Sequence, residues 1–475
     1  MLTSPDFYIN PRVSKQALNT FFAYFSDGKE ELHTFSAYYR GDLLVRIAPA
    51  PYSADDKREI YSLSKSFCST AIGFLCDEGK LSVEDKIVDL FPDKLPETVS
   101  ENLAQMCVKH VLSMNTGHPS CVMPYMVNAE DAAKAFLSRP VEFVPGTHFA
   151  YNTGATCLLS CIVERLSGKK LADYLTEKLF MPLDICGVRW NSIADGTNEG
   201  GCGIHVNNDD IAKLGLLYAA GGMWKGKRIL SEKWAKAATS FVSDNSSNGS
   251  PDWCAGYGYQ FWMNAKEGFR GDGAFGQLCF VMPEHEMVFA VQTEVGNMQG
   301  EIDVLYALAD HLLDENDGAQ EVILPAYLPT GSAQKTAGFE HIVYALDPNP
   351  MGWTQMYFRY DTKRNAMQAF VCDGTDQFAL TAGSGYFAES NVYTKNFKPK
   401  LVQLMYTVNR ELCRFAASYT AEDGVLTYRV RYLNCPHRLT FTFRTEDDHR
   451  TLHADIDARG LIRADAVSLT GHAVR

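Results

Sequence analysis

The sequence predicts a mixed α/β catalytic region followed by an all-β domain, and three observations carry that prediction. From about Tyr38 to Leu313, short β-like runs, helical stretches and Gly-rich turns alternate, as expected where sheet and helices pack as layers. Residues 314 to 330 then turn polar in DENDGAQE and lead into Pro325 and Pro329, the composition of a linker. Beyond it, WTQMYFRY, AMQAFV, LVQLMYTV, LTYRVRYL, RLTFTFRT and TLHADIDA are short, rich in β-branched or aromatic residues, and largely alternating, as in strands with one buried face. Asp423-Gly424 separates two of these runs and EDDHR (446 to 450) two others, which predicts antiparallel hairpins closing into a sandwich or barrel. The expected domains are residues 1–318 and a β-rich C-terminal domain over 319–475.

The chain has 475 residues, 46% of them hydrophobic, enough for more than one core. Its net charge of −13, with no contiguous Lys/Arg run, argues against nucleic acid or an anionic bilayer as partner. WKGKR at 224 to 228 reads as a solvated turn. The N-terminus, MLTSPDFYINPRVSKQALNTFFAYF, carries Asp, Asn, Pro and Arg where a signal peptide needs an unbroken apolar stretch, and no later segment approaches a membrane span. A cytoplasmic protein is therefore expected. The 13 cysteines are odd in number and scattered among apolar neighbours, as in Phe67-Cys68 and Leu75-Cys76, so they read as buried reduced thiols. None has zinc spacing, and neither metal nor cofactor is expected.

The chemistry begins at Tyr61-Ser62-Leu63-Ser64-Lys65-Ser66-Phe67. If a helix starts here, Ser62 and Lys65 share a face, and the amine can help remove the hydroxyl proton. The helix N-terminus adds partial positive charge beside a developing oxyanion. The same spacing recurs at Ser26/Lys29, Ser167/Lys170 and Ser332/Lys335, but two of these pairs enclose Gly and the third lies in the linker region. Only Ser62 opens a long apolar stretch, FCSTAIGFLCDEGK. An isolated pair of this kind is more often an N-cap Ser followed by a solvated Lys, so the surrounding segments decide.

YSLSKSFCSTAIGFLCDEGKLSVEDKIVDLFPDKLP resembles the nucleophile helix and following loop of the serine β-lactamase-like family, which includes class C β-lactamases, D-alanyl-D-alanine carboxypeptidases and family VIII esterases. VKHVLSMNTGHP, PGTHFAYNTGATCLLSCIVERLSGKKLADYL, GGCGIHVNNDDIAKLGLLYAAGGMWKGKRILSEKW, GYGYQFW and DGAFGQLCFVMPEHEMVFAVQT follow in family order, over roughly residues 35 to 313. The resemblance implies an antiparallel sheet packed against helices, a helical subdomain over the site, and acylation of Ser62 assisted by Lys65. The family's Tyr-x-Asn motif matches at Tyr151, the expected general base, whose phenolate Lys65 would favour. Its third position is Thr153, with Asn152 one residue earlier, so the amide that contacts substrate is missing or displaced. The family's Lys-Thr-Gly or His-x-Gly motif, on a strand bordering the cleft, matches Ala274-Phe275-Gly276, which lacks the cationic or imidazole side chain. Gly276 would allow close backbone approach, with the N–H groups of Ser62 and Gln277 as oxyanion donors. Arg270, on the same strand face as Ala274 by alternation, could reach a substrate carboxylate instead.

No serine has glycine at both second neighbours, which argues against an α/β-hydrolase. His110, His118, His148 and His205 have no evident carboxylate partner and receive no role. Two functions are carried forward. One is a serine hydrolase passing through acyl-Ser62 on a small-molecule ester, amide, β-lactam or D-amino-acid peptide. The other, motivated by Ala274 and Thr153, is a degenerate member that binds without turnover. A homo-oligomer is compatible with either, and the C-terminal domain is expected to stabilise, form a lid or dimerise without supplying a catalytic side chain.

Overall fold

In the first region, the strands Glu31–Tyr39, Gln277–Met282 and Met287–Glu294 are buried along almost their whole length, which requires cover on both faces of their sheet. The structure, a computed structural model, describes residues 6–314, 321–328, 339–374, 376–394, 411–459 and 467–474. It divides into two compact units, residues 1–49 with 53–325, and residues 50–52 with 326–475.

The first unit is built on a seven-stranded sheet. Its order is Phe7–Ile9, Asp42–Ile47, Glu31–Tyr39, Met287–Glu294, Gln277–Met282, Phe269–Gly273 and Trp262–Met263, and every pairing is antiparallel. The two ends of this region meet at its centre, where Tyr38 opposes Val288 and Phe35 opposes Val291. One face packs against the helices Lys15–Ala23 and Met298–His311 through Phe21, Phe22, Leu305 and Phe289. Ser14 and Asn297 cap those helices by accepting from Ala17 N and Gly300 N. The other face carries the helices Ser64–Asp77, Thr153–Ser167 and Asn208–Ala219. Ser64–Asp77 is buried on every side as far as Leu75, the state of a helix sheathed by others. At Gly73 a Cβ would lie 2.5 Å from Cδ1 of Trp234, so glycine there lets the indole close over the helix.

The second unit is a ten-stranded sheet among the described residues, ordered from Gln377–Gly383 through Ala366–Cys372, Gln355–Asp361, Val343–Leu346, Val467–Ala473, Thr451–Arg459, Arg438–Glu446, Val425–Tyr432 and Glu411–Glu422 to Ala388–Thr394. A bridge from Gly383 on the first strand to Ser418 on the last but one closes the sheet on itself, so the expected sandwich or barrel is a barrel. Asp423-Gly424 forms a two-residue hairpin between Glu422 and Val425, with Asp423 at φ 49 and Gly424 at φ 76, as such turns require. The residues of EDDHR close a second hairpin where Glu446 opposes Thr451. The run LVQLMYTV and the expected domain boundary at residues 318 and 319 lie outside the described residues.

All 13 cysteines are free, but not all are buried: Cys186 is exposed and six others are half-buried. Of these seven only Cys76 and Cys161 lie within helices; Cys107, Cys121, Cys186 and Cys254 lie between elements and Cys372 ends a strand, where apolar neighbours in sequence do not ensure cover. No helix among the described residues is long and apolar enough to cross a membrane.

Candidate active site

Ser62 occupies the middle of a single 3-10 turn, Tyr61–Leu63, that runs directly into the buried helix Ser64–Asp77. The regular helix thus starts two residues later than expected, and the turn leaves Ser62 half-exposed between buried Tyr61 and Leu63. Tyr61 has φ 47, a conformation unfavourable for a bulky residue and one that surrounding structure must hold. Ser64 Oγ helps hold it by donating to Tyr61 O.

Lys65, 1% exposed, places Nζ 3.2 Å from Ser62 Oγ, 3.2 Å from Thr153 Oγ1 and 2.7 Å from Gly201 O. These three oxygens hold the Lys65 amine beside the nucleophile. Sequence reasoning missed Gly201, although it lies in the family-like segment GGCGIH. A Cβ there would lie 2.7 Å from Thr153 Cγ2 and 3.3 Å from Lys65 Nζ, so only glycine brings that carbonyl close. Thr153 is the first residue of the helix Thr153–Ser167, and its hydroxyl is turned to Lys65. Asn152, expected at the substrate, instead caps that helix. It is fully buried, and its Oδ1 accepts from Ala155 N at 3.3 Å and Val122 N at 3.1 Å. A helix start needs an oxygen at this position, and that role takes the amide out of the cleft.

Tyr151 lies beside the pair, with Lys65 Nζ 4.8 Å from its ring centroid, near enough for Lys65 and Ser62 both to act on its phenol. Trp262 stacks on the ring, centroids 5.4 Å apart at 25°. Burial raises the phenol above its usual value; Lys65 and Ser62 lower it, and Asp272 raises it further. The net shift is upward, opposite to the expected stabilisation of the phenolate, because desolvation of the charged form outweighs one ammonium.

The strand bordering the nucleophile is Phe269–Gly273. A Cβ on Gly271 would lie 2.2 Å from Leu63 Cδ1, and one on Gly273 2.1 Å from Ile60 O. Trp262–Met263 pairs only with Phe269 and Arg270, so Gly271–Gly273 have no strand neighbour on that edge among the described residues. Ala274-Phe275-Gly276 is not part of this strand but the turn after it. Ala274 is half-exposed. Phe275, at φ 66, packs edge-on against Tyr61 with centroids 5.5 Å apart. Gly276 points away from the cleft, since a Cβ there would meet Thr293 Oγ1 at 2.0 Å and Glu301 Oε2 at 2.3 Å. Gln277 lies on the next strand in, opposite Gly273, and its buried amide donates to the carbonyls of Phe275 (3.1 Å) and Thr293 (2.7 Å).

Arg270 is also withdrawn. Fully buried, it bonds Asp272 Oδ2 at 2.8 Å, Asn264 Oδ1 at 3.2 Å and Asp252 O at 2.9 Å, and its guanidinium lies 4.7 Å from the Trp253 ring centroid. Of the histidines given no role, His118 is buried, and that burial lowers its pKa to about 4. Among the described residues no three His, Cys, Asp or Glu side chains are placed to hold a metal.

The sequence profile described as Beta-lactamase matches residues 21–312. A 6-aminohexanoate-dimer hydrolase of Paenarthrobacter ureafaciens is 23% identical over 272 residues, covering 52% of this chain and 68% of that protein. Among solved structures, a putative β-lactamase from Bacteroides dorei DSM 17855 superposes with TM-score 0.54 at 16% identity, over 64% of this chain and 99% of that one. EstCE1, a hydrolase with promiscuous acyltransferase activity, gives TM-score 0.52 at 14% identity, over 63% and 99%. These two structures share the fold of the first unit, and with the profile spanning most of the chain, the chain belongs to the beta-lactamase family.

Proposed function

We propose that the chain is a serine hydrolase acting through an acyl-Ser62 intermediate on small esters or amides, β-lactams and D-amino-acid peptides included. The observation that carries this reading is the 3.2 Å contact of buried Lys65 Nζ with half-exposed Ser62 Oγ, with the Tyr151 ring centroid 4.8 Å from the same Nζ. Ser62 passes its proton to the Lys65 amine as Oγ bonds the acyl carbon, while the Tyr151 phenol gives its own proton to the departing alcohol or amine and recovers one from Lys65. Water then gives a proton to Lys65 while its oxygen bonds the acyl carbon, and Ser62 recovers its hydrogen as the acid leaves. Tyr151, held as a phenol, is suited to donating to the leaving group, with Lys65 supplying the basic partner. The N–H of Ser62 and the open strand edge at Gly271–Gly273 are the proposed oxyanion donors, one strand nearer the nucleophile than Gln277.

Labelling with a fluorophosphonate tests the proposal. One adduct on the peptide containing Ser62, absent from Ser62→Ala, is the expected result. A folded protein that takes no label belongs with the non-hydrolytic binding reading.

A further inference from the structure

Behind the turn Ala274–Gly276 lies a cluster of four oxygens that the hydrolytic scheme does not use. Thr293 Oγ1 is 2.9 Å from Phe275 O, 2.9 Å from Gly276 O and 2.8 Å from Glu301 Oε1. All four residues are buried, and Thr293 and Glu301 are fully so. Carbonyl oxygens only accept, and so does an ionised carboxylate. Phe275 O also accepts from Gln277 Nε2 at 3.1 Å and Val295 N at 3.2 Å, but Thr293 has a single proton: with Glu301 ionised and that proton turned to the carbonyls, the Glu301 contact is left oxygen against oxygen at 2.8 Å in the buried interior. One additional proton resolves the count. We propose that Glu301 is a positioning residue held as the neutral acid, donating to Thr293 Oγ1 so that the Thr293 hydroxyl is directed at the carbonyls of the turn.

The surroundings agree. The charged or titratable groups that face Glu301 are Asp272 on the bordering strand, Glu30 ahead of the strand Glu31–Tyr39, and Tyr24 after the first helix. None is a cation. Burial first, then Asp272 and Glu30, raise its pKa well above the usual carboxylate range. Oε2 has no hydrogen-bond partner, which is tolerable for the carbonyl oxygen of an acid and costly for a carboxylate. The clamp bears on the site because the turn it holds carries Phe275, whose ring packs on Tyr61 beside Ser62.

A raised pKa in the folded state means that the neutral acid stabilises the fold fully below the unfolded Glu value, about 4.3. That contribution is lost as pH rises from there towards the folded value. Glu301→Gln, a permanent uncharged donor, should therefore show a flatter fall in unfolding temperature than the wild type as pH rises above about 4.3. Infrared difference spectra at about pH 7.5 should show a protonated-carboxyl C=O band in the wild type that Glu301→Gln lacks. Turnover of p-nitrophenyl butyrate should stay within about threefold of wild type in Glu301→Gln and fall about tenfold or more in Glu301→Ala, the loss of one buried hydrogen bond to the turn. If no band is lost and the two pH curves run parallel, the proposal is wrong. Should Glu301→Gln not fold, Thr293→Val serves instead: the carboxyl band shifts if Glu301 bonds Thr293, and an unshifted band overturns the assignment. The spectra do not depend on turnover, so this test fails or succeeds separately from the acyl-Ser62 chemistry.

Discussion

At the scale of residues, Lys65 Nζ bonds Ser62 Oγ and lies 4.8 Å from the Tyr151 ring centroid, and in the proposed mechanism the three act as a unit, whose members do not contribute additively. Ser62→Ala, Lys65→Ala and Tyr151→Phe should each lower kcat by about three orders of magnitude or more, with the Ser62→Ala/Tyr151→Phe double variant little worse than either single change. Near wild-type hydrolysis by folded Ser62→Ala removes the assignment. Substrate choice follows from Ala274, whose methyl cannot bond a carboxylate, and from Arg270, whose guanidinium is held by Asp272, Asn264 and Asp252. A missing hydrogen bond to a charged group is worth about 1.5 to 3 kcal/mol, so carboxylate-bearing substrates should be about tenfold to a hundredfold worse than neutral ones. The measurement is kcat/KM for p-nitrophenyl butyrate against nitrocefin, in wild type and Ala274→His. A wild type that prefers nitrocefin, or a ratio that His leaves unchanged, contradicts it. Ser62, Lys65 and Tyr151 could be proposed from the sequence because the segments around them resemble the family's motifs, whereas the Ser62/Lys65 spacing alone recurs elsewhere in the chain. Gly201, Trp262, Gly273 and Glu301 could not, since each matters through a neighbour remote in sequence.

At the scale of elements, the helix Ser64–Asp77 shows packing overruling local preference. Replacing a mid-helix glycine by alanine ordinarily stabilises by about 1 kcal/mol. At Gly73, however, three atoms of the buried Trp234 ring lie within 2.7 Å of the new Cβ position, and overpacking a core costs about 1 to 3 kcal/mol. Gly73→Ala should therefore lower the unfolding temperature, and a rise in urea or thermal stability would show that the indole moves aside freely. The site motif displaced in reading was likewise an element-level matter. Alternation placed Ala274 on a strand face with Arg270, whereas the strand ends at Gly273 and the chain turns. Three residues with Phe275 and Gly276 in left-handed conformations make that turn, a geometry Gly276 hints at and Phe275 hides.

At the scale of the whole molecule, the expectation that the C-terminal domain supplies no catalytic side chain becomes a proposal with a defined cut, because the first unit ends at Pro325. A soluble fragment of residues 1–325 should retain esterase activity. Complete loss of activity in a folded fragment would give the second unit a larger part. Residues 50–52 belong with that unit, and Tyr52, 4% exposed, packs with Ala416 and Leu433. The fragment should therefore be less stable around this loop, visible as faster amide exchange there than in the full chain.

The sequence by itself determined the mixed α/β region and the β-rich C-terminal strands, and through its resemblance to the family it singled out Ser62, Lys65 and Tyr151 as candidates. Period, turn chemistry and motif spacing are local properties, and a chain carries them before it folds. Only the tertiary structure decided that Asn152 caps a helix, that Arg270 is withdrawn into a buried network, that the strand ending at Gly273 borders the nucleophile, and that burial lifts Tyr151. Each of these depends on which distant backbone or charge arrives within a few ångströms, and on how much water is excluded when it does.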